Sequence, residues 1–123
     1  MLEAYGTNVT LTAETAISFD NTSIKKGNTA ELESTSTIQL NKCGVYMIEF
    51  DCSTEASNTI QMYKDGVAQP QAQSTGTSLA FSTLVQVDRN NTNCCCSSPV
   101  SLKFVPTAAG TAINVNVCVT KIC

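Results

Sequence analysis

Period-two alternation of apolar and polar residues is the pattern that most restricts what this chain can fold into. It runs from Gly44 to Cys52 and again from Ile113 to Val119. Successive side chains of an extended strand point to opposite faces, so each segment predicts a strand with one buried face. No window of ten residues repeats apolar residues at the three-and-four spacing of a helix. The chain is therefore predicted to be all-β. The residues predicted to face the core are Tyr46, Ile48, Phe50 and Cys52 in the first segment and Ile113, Val115, Val117 and Val119 in the second.

About eight short strands are predicted, separated by Gly, Asn, Asp, Ser or Pro. Asp65-Gly66 lies between two of them, Thr59–Lys64 and Val67–Gln69, and predicts a hairpin with a tight turn. Short strands at such spacing are typical of a sandwich or a jelly roll, and no segment offers the crossover that a parallel α/β fold needs. The other predicted strands are Leu79–Val87 and Val100–Val105, with weaker ones at Val9–Thr12, Ala30–Glu33 and Thr37–Leu40. The predicted loops are Asn21–Asn28, Gln69–Ser78 and Asp88–Ser98.

Length and charge limit the remaining possibilities. A chain of 123 residues fits one domain, so we expect residues 1–123 to form a single jelly-roll domain in which residues 1–12 are an N-terminal arm or the first strand. A net charge of −3 with seven basic residues argues against nucleic-acid binding. No apolar stretch approaches the roughly 18 residues of a membrane span, and no signal peptide is recognisable.

The middle third of the chain resembles a known family. Gly44–Phe50, preceded by Ile38–Leu40 and followed by Ile60–Gly66, resembles the central region of the jelly roll shared by tumour necrosis factor-like domains and complement globular heads. A Gly-x-Tyr strand followed by a strand that ends in an Asp-Gly turn carries the resemblance. It implies a jelly-roll sandwich of about 8–10 antiparallel strands and a compact homotrimer, with one sheet of each protomer packed around a threefold axis. The chain differs from those heads in having no collagen-like stalk, no recognisable calcium-binding cluster and more Cys.

The whole chain is also similar to small, Cys-containing, Thr-rich structural proteins of phages and prophages, some of them head fibres or decoration proteins. This resemblance implies contacts with capsid or other virion proteins and a place on the virion surface, outside the cell after host lysis. The expected function is a non-enzymatic, trimeric decoration or head-fibre module. The alternative is a receptor-binding or adhesion tip that recognises a host-surface glycan or protein through Gln69–Ser78 and Asp88–Ser98.

Catalysis is disfavoured because the chain has no His, the residue most often used as a general base and as the partner of Ser and Cys nucleophiles. Two carboxylate pairs, Glu31 with Glu33 and Glu49 with Asp51, have the spacing of about 6.5–7 Å found in inverting glycosidases. A solvated face or a charged sheet edge explains the same pairs. No catalytic residue, cofactor or metal site is therefore predicted, and the protein is not expected to be an enzyme.

Seven cysteines are the most unusual feature of the composition. The triplet Cys94-Cys95-Cys96 lacks the C-x2-C spacing of structural zinc sites. Cys43 and Cys52 lie at opposite ends of one predicted strand, about 30 Å apart and too far for a disulfide. The odd number leaves at least one thiol free or bonded to another chain. The alternative to disulfide formation is that all thiols are reduced and that Cys52 and Cys118 are small core or boundary residues. The candidate disulfide or cross-link residues are Cys43, Cys52, Cys94, Cys95, Cys96, Cys118 and Cys123.

Two surface features are candidates for partner contacts. The face that bears Val45 and Met47 is more apolar than a solvated sheet face, which indicates a contact between protomers. Coverage by the N-terminal residues Leu2–Val9 is the alternative explanation. Tyr63, beside the predicted turn, is a candidate for contact with another partner.

Overall fold

The computed structural model describes residues 1–27, 29–88 and 99–122. These residues form eight antiparallel β-strands and no helix, so within them nothing helical is long and apolar enough to cross a membrane. The strands are β1 (Leu2–Leu11), β2 (Asn21–Lys25), β3 (Ala30–Ser34), β4 (Thr37–Leu40), β5 (Gly44–Lys64), β6 (Val67–Val87), β7 (Val100–Pro106) and β8 (Gly110–Lys121).

Two long strands carry the chain between two layers. β5 pairs with β8 along Tyr46–Thr54 and with β7 along Ile60–Lys64, and β6 pairs with the other edge of β5. The front sheet, as we name it, has the order β2-β1-β8-β5-β6 and contains the first half of β5. The back sheet has the order β3-β4-β7-β5-β6 and contains the second half. This is a jelly-roll sandwich, which confirms the predicted fold.

The inward side chains of both sheets form one core. The predicted core face of Gly44–Cys52 is buried, as alternation requires. Phe104 of the back sheet stacks on Phe50 of the front sheet with ring centroids 4.8 Å apart, and Phe19 meets Phe104 edge-on at 5.9 Å. Phe81 stacks on Phe50 with ring centroids 5.1 Å apart and lies 6.1 Å from Phe104. An aromatic cluster therefore joins the two layers.

The predicted turn at Asp65-Gly66 is confirmed. Both residues have positive φ, 50° for Asp65 and 82° for Gly66, as a type I′ hairpin turn requires. The Asp65 N–H donates to Ser101 O (2.8 Å), and the Ser101 N–H donates to Asp65 Oδ1 (2.9 Å). The β5–β6 turn is thereby fixed to β7.

Several predicted strands are parts of longer ones. Val9–Thr12 overlaps the end of β1, so the N-terminal segment is the first strand. Gly44–Cys52 and Thr59–Lys64 are the two halves of β5, and Leu79–Val87 is the second half of β6. The polar residues between the halves, among them the predicted loop Gln69–Ser78, continue each strand where it passes from one sheet to the other.

Two segments predicted as loops are strands. Asn21–Lys25 forms β2 at the edge of the front sheet with every side chain exposed, so no apolar alternation exists there to detect. Gln69–Ser78 lies within β6, and Ala72 is its one buried residue. Backbone pairing with the preceding strand defines both segments, and this does not show in side-chain polarity. The third predicted loop, Asp88–Ser98, lies outside the described residues except for Asp88, which follows β6.

The predicted core face of β8 is wrong at one position. Ile113 is 48% exposed. Ser53 of β5 pairs with Asn114, whereas Thr54 pairs with Ala112, so the register shifts by one residue at Ile113. Such a bulge reverses the facing of the side chains beyond it, and Ala112 takes the inward position.

Candidate interface on the front sheet

The outward face of the front sheet exposes large apolar side chains. Met47 of β5 and Leu84 of β6 are cross-strand partners and are 37% and 57% exposed. Val45 lies two residues before Met47 on the same face and is half-buried. We call Val45, Met47 and Leu84 the apolar band. The N-terminal segment Leu2–Val9 does not cover it, because β1 lies beside β8 within the same sheet.

A row of acidic groups crosses the same face next to the apolar band. Glu3 of β1 pairs with Cys118 of β8, and Cys118 pairs with Glu49 of β5. Asp51 lies two residues beyond Glu49 on the same face, about 6.5–7 Å away along the strand. We call Glu3, Glu49 and Asp51 the acidic band.

The Glu3 carboxylate is held by three donors. The Ser23 hydroxyl of β2 donates to Oε1, the Cys118 thiol donates to Oε2 (3.2 Å), and the Asn116 amide donates to Oε2 (3.3 Å). These hydrogen bonds, that from Ser23 most of all, hold the pKa of Glu3 below its ordinary value. The network ties the edge strand β2 to the middle of the sheet.

The Cys118 thiol is half-buried among these carboxylates. Burial raises its pKa to about 11, and the hydrogen bond to Glu3 and the charges of Glu3, Glu49 and Asp51 act in the same direction. The thiolate is the nucleophilic form of cysteine. Cys118 is therefore protonated and unreactive at neutral pH.

The other cysteines have different surroundings. Cys52 faces the core, and burial, with a smaller effect of the Asp51 charge, raises its pKa to about 11. Cys43 is half-buried just before β5. Cys43, Cys52 and Cys118 are all unbridged thiols in the structure. The predicted cross-links stay a prediction, because the remaining candidates lie outside the described residues. These are Cys94, Cys95, Cys96 and Cys123.

Tyr63 lies on the back sheet, away from the apolar band. It is half-buried and pairs with Lys103 of β7 and Ala68 of β6. Near the Asp65-Gly66 turn on that side is a polar groove of about 550 Å³, within the size range of small-ligand sites. The groove is lined by Glu33, Ser34, Thr37, Asp65, Gly66, Ser101 and Lys103.

The two predicted carboxylate pairs have separate environments. Glu31 accepts a hydrogen bond from Asn41 Nδ2 (3.2 Å) and lies 3.6 Å from Lys25 Nζ, whereas Glu33 borders the groove. Glu49 and Asp51 belong to the acidic band. Within the described ranges, no three His, Cys, Asp or Glu side chains are grouped to hold a metal ion.

The sequence analysis proposed Val45 and Met47 as interface residues, which stays a prediction, and it did not point to Leu84 or Glu3. Alternation in β6 could have revealed Leu84, because it lies an odd number of positions from the inward residues Phe81 and Val85 and so faces outward. Nothing comparable marks Glu3, because its contact with Cys118 joins residues 115 positions apart in the sequence.

Comparison with known proteins shows which solved structures share this fold. No family model and no curated protein matches the chain, but solved structures match it over nearly its whole length. The globular domain of zebrafish complement 1qA protein has a TM-score of 0.76 at 10% identity, covering 99% of this chain and 96% of that one. The vertex protein P5 of phage PRD1 has a TM-score of 0.68 at 17% identity, with coverages of 99% and 96%. Murine APRIL has a TM-score of 0.63 at 11% identity, with coverages of 98% and 97%. At these identities the likeness concerns the fold, and the chain has the jelly-roll fold of tumour necrosis factor-like and complement globular-head domains.

Proposed function

We propose that this protein is a non-enzymatic structural module that assembles as a homotrimer on the outside of a phage particle, with the front sheets packed around the threefold axis. The observation that carries the proposal is the apolar band. Met47 and Leu84 are adjacent and exposed on a sheet face that no described segment covers. Exposed apolar patches of this kind mark association surfaces, and a trimer built on this sheet is what the resemblance to tumour necrosis factor-like domains implies.

The phage location is supported by two resemblances. The chain is similar to Thr-rich, Cys-containing phage structural proteins, and the PRD1 vertex protein P5 shares its fold over nearly the whole length. Decoration or head-fibre modules must bind capsid or other virion proteins. A threefold assembly leaves the back sheet and the ends of the sandwich free for such contacts.

The second candidate function, a receptor-binding or adhesion tip, is favoured by the polar groove near Asp65 and Gly66. Its carboxylate, ammonium and hydroxyl groups are suited to a hydroxylated ligand such as a host-surface glycan. Tyr63 lies on the same sheet. Because the groove is on the back sheet, it stays accessible in a trimer built on the front sheet, and the two functions are compatible.

Sedimentation velocity at micromolar concentration tests the assembly. We expect the mass of a trimer for the wild type and a weaker association, by roughly tenfold or more, for Leu84→Asp, because a charge would be desolvated in the interface. Val67→Asp is the matched control: Val67 is 63% exposed but lies at the hairpin end of β6, and this variant should remain trimeric. A wild-type monomer would overturn the proposal. Recovery of the protein in a fixed ratio with purified particles tests the virion location.

A further inference from the structure

An interface that covers the apolar band also covers part of the acidic band. Glu49 lies two residues from Met47 on the same strand and the same face, a distance of about 6.5–7 Å. Cys118 lies beside Glu49, and the charges of Glu3, Glu49 and Asp51 all act on its thiol. The three carboxylates therefore surround one point of the face. A contact that buries Met47 and Leu84 therefore brings carboxylates with it.

The charges that face this point are all negative in the part of the chain that the structure describes. β1 contributes Glu3 and the uncharged Tyr5, and β5 contributes Glu49 and Asp51. β8 contributes the protonated Cys118, and the facing part of β6 has only Ala, Ser and Leu side chains. The described cations lie away from the acidic band. The Lys64 ammonium donates to Gln86 O (3.1 Å), beside Val45 of the apolar band, and the N-terminal ammonium donates to Lys26 O (3.1 Å). The other lysines are Lys25 and Lys26 at the end of β2, Lys42 before β5, Lys103 on the back sheet and Lys121 at the end of β8.

We propose that assembly through the front sheet takes up protons on the acidic band, so that the trimer becomes stronger as the pH falls. This inference rests on the proposed homotrimer. Around a threefold axis, three copies of the band enter one partly desolvated contact without a described counter-charge. Desolvation and mutual repulsion both disfavour ionised carboxylates there.

Proton linkage gives the direction of the pH dependence. Association raises the pKa of the carboxylates that it buries, so the trimer binds more protons than the free protomers do, and its association constant rises as the pH falls. Glu3 contributes least, because its three donors favour the ionised form. Glu49 and Asp51 are therefore the groups that take up the protons. The association constant should change by up to about tenfold per pH unit for each proton bound.

Sedimentation velocity on the full chain between pH 8 and pH 5 tests this inference. We expect the wild type to associate more strongly at pH 5 than at pH 8, and the double variant Glu49→Gln/Asp51→Asn to associate at pH 8 about as strongly as the wild type does at low pH. The variant Glu14→Gln/Asp20→Asn makes the same change in net charge at exposed positions outside the eight strands. It should keep the wild-type pH profile, which separates the acidic band from the approach to the isoelectric point near 4.7.

The outcomes separate this inference from the function on which it rests. A trimer whose association constant does not change between pH 8 and pH 5 would overturn the proton linkage and leave the assembly standing. So would a control variant that loses the pH dependence to the same extent as Glu49→Gln/Asp51→Asn. A wild-type monomer at every pH would overturn both. Circular dichroism at each pH confirms that the compared species are folded.

Discussion

Burial, and then the carboxylates around it, control what the Cys118 thiol can do. With a pKa of about 11, roughly one molecule in a thousand carries the thiolate at pH 8. Glu3 contributes through its hydrogen bond and its charge, because both stabilise the protonated thiol. Burial, together with the neighbouring carboxylates, thus keeps a half-buried thiol on the proposed interface from reacting.

Glu3→Gln should make Cys118 more reactive. The substitution removes a negative charge beside the thiol and so lowers its pKa, which we expect to speed alkylation by iodoacetamide at pH 8 by about three- to tenfold, the effect of half to one pKa unit. Mass spectrometry of digested protein over a time course gives the rate at each cysteine. Cys52 serves as an internal control, since burial dominates its pKa. Equal Cys118 rates in Glu3→Gln and Glu14→Gln would contradict the role of Glu3.

Among the elements, β5 belongs to both sheets, and one polar residue lies where its first half meets its second. Asn58 is 6% exposed and lies where the pairing register of β5 shifts. Its amide donates to Ala108 O (2.9 Å), and its Oδ1 accepts from the N–H groups of Ala108 (3.3 Å) and Thr59 (2.8 Å). The side chain therefore ties the β7–β8 connection, in which Ala108 lies, to β5 where its pairing register shifts, and it also pairs the adjacent Thr59 N–H.

Asn58→Ala should destabilise the fold strongly. It removes the side-chain partner of two backbone N–H groups and one carbonyl, and we expect the free energy of unfolding to fall by about 1–3 kcal/mol. Urea denaturation followed by circular dichroism measures the change. Ser57→Ala, at the adjacent exposed position, should stay within about 0.5 kcal/mol of the wild type. If both variants lose the same stability, the hydrogen bonds of Asn58 do not hold the β7–β8 connection to β5.

The elements also show which parts of the structure the sequence can predict. Strands with one apolar face, such as Gly44–Cys52, and the turn at Asp65-Gly66 are predictable because burial and positive φ restrict residue type. β2 and the first half of β6 are polar on both faces, so only their hydrogen-bonding partners define them. The role of Asn58 was not predicted, because a buried polar residue is recognisable only from its partners. The apolar band was found in part from alternation, whereas the acidic band depends on the pairing of the two ends of the chain.

For the whole molecule, the two faces carry different groups. The front face carries both bands and the groups that would govern assembly, and the back sheet carries the polar groove and Tyr63. The two layers must nevertheless act as one body if a contact on one is to position the other. The aromatic cluster supplies that connection, since Phe50 comes from the front sheet and Phe104 from the back sheet.

A double-mutant cycle between Phe50→Leu and Phe104→Leu measures the connection. Each substitution should lower the free energy of unfolding by about 1–3 kcal/mol through lost packing, and the pair should be coupled by about 0.5–1.5 kcal/mol, as stacked rings are. The control cycle pairs Phe50→Leu with Phe19→Leu. Phe19 contacts Phe104, and no ring contact joins it to Phe50 among the described residues, so its coupling to Phe50 should be smaller.

All variants of the cycle are compared at one protein concentration, because association stabilises the folded state by mass action. Coupling in the first cycle with a single unfolding transition would mean that the layers unfold together. Additive effects at Phe50 and Phe104, with separate transitions for the two layers, would contradict the role of the cluster. A back sheet able to unfold alone could not hold the groove, or the proposed capsid contact, in a fixed position relative to the proposed threefold axis.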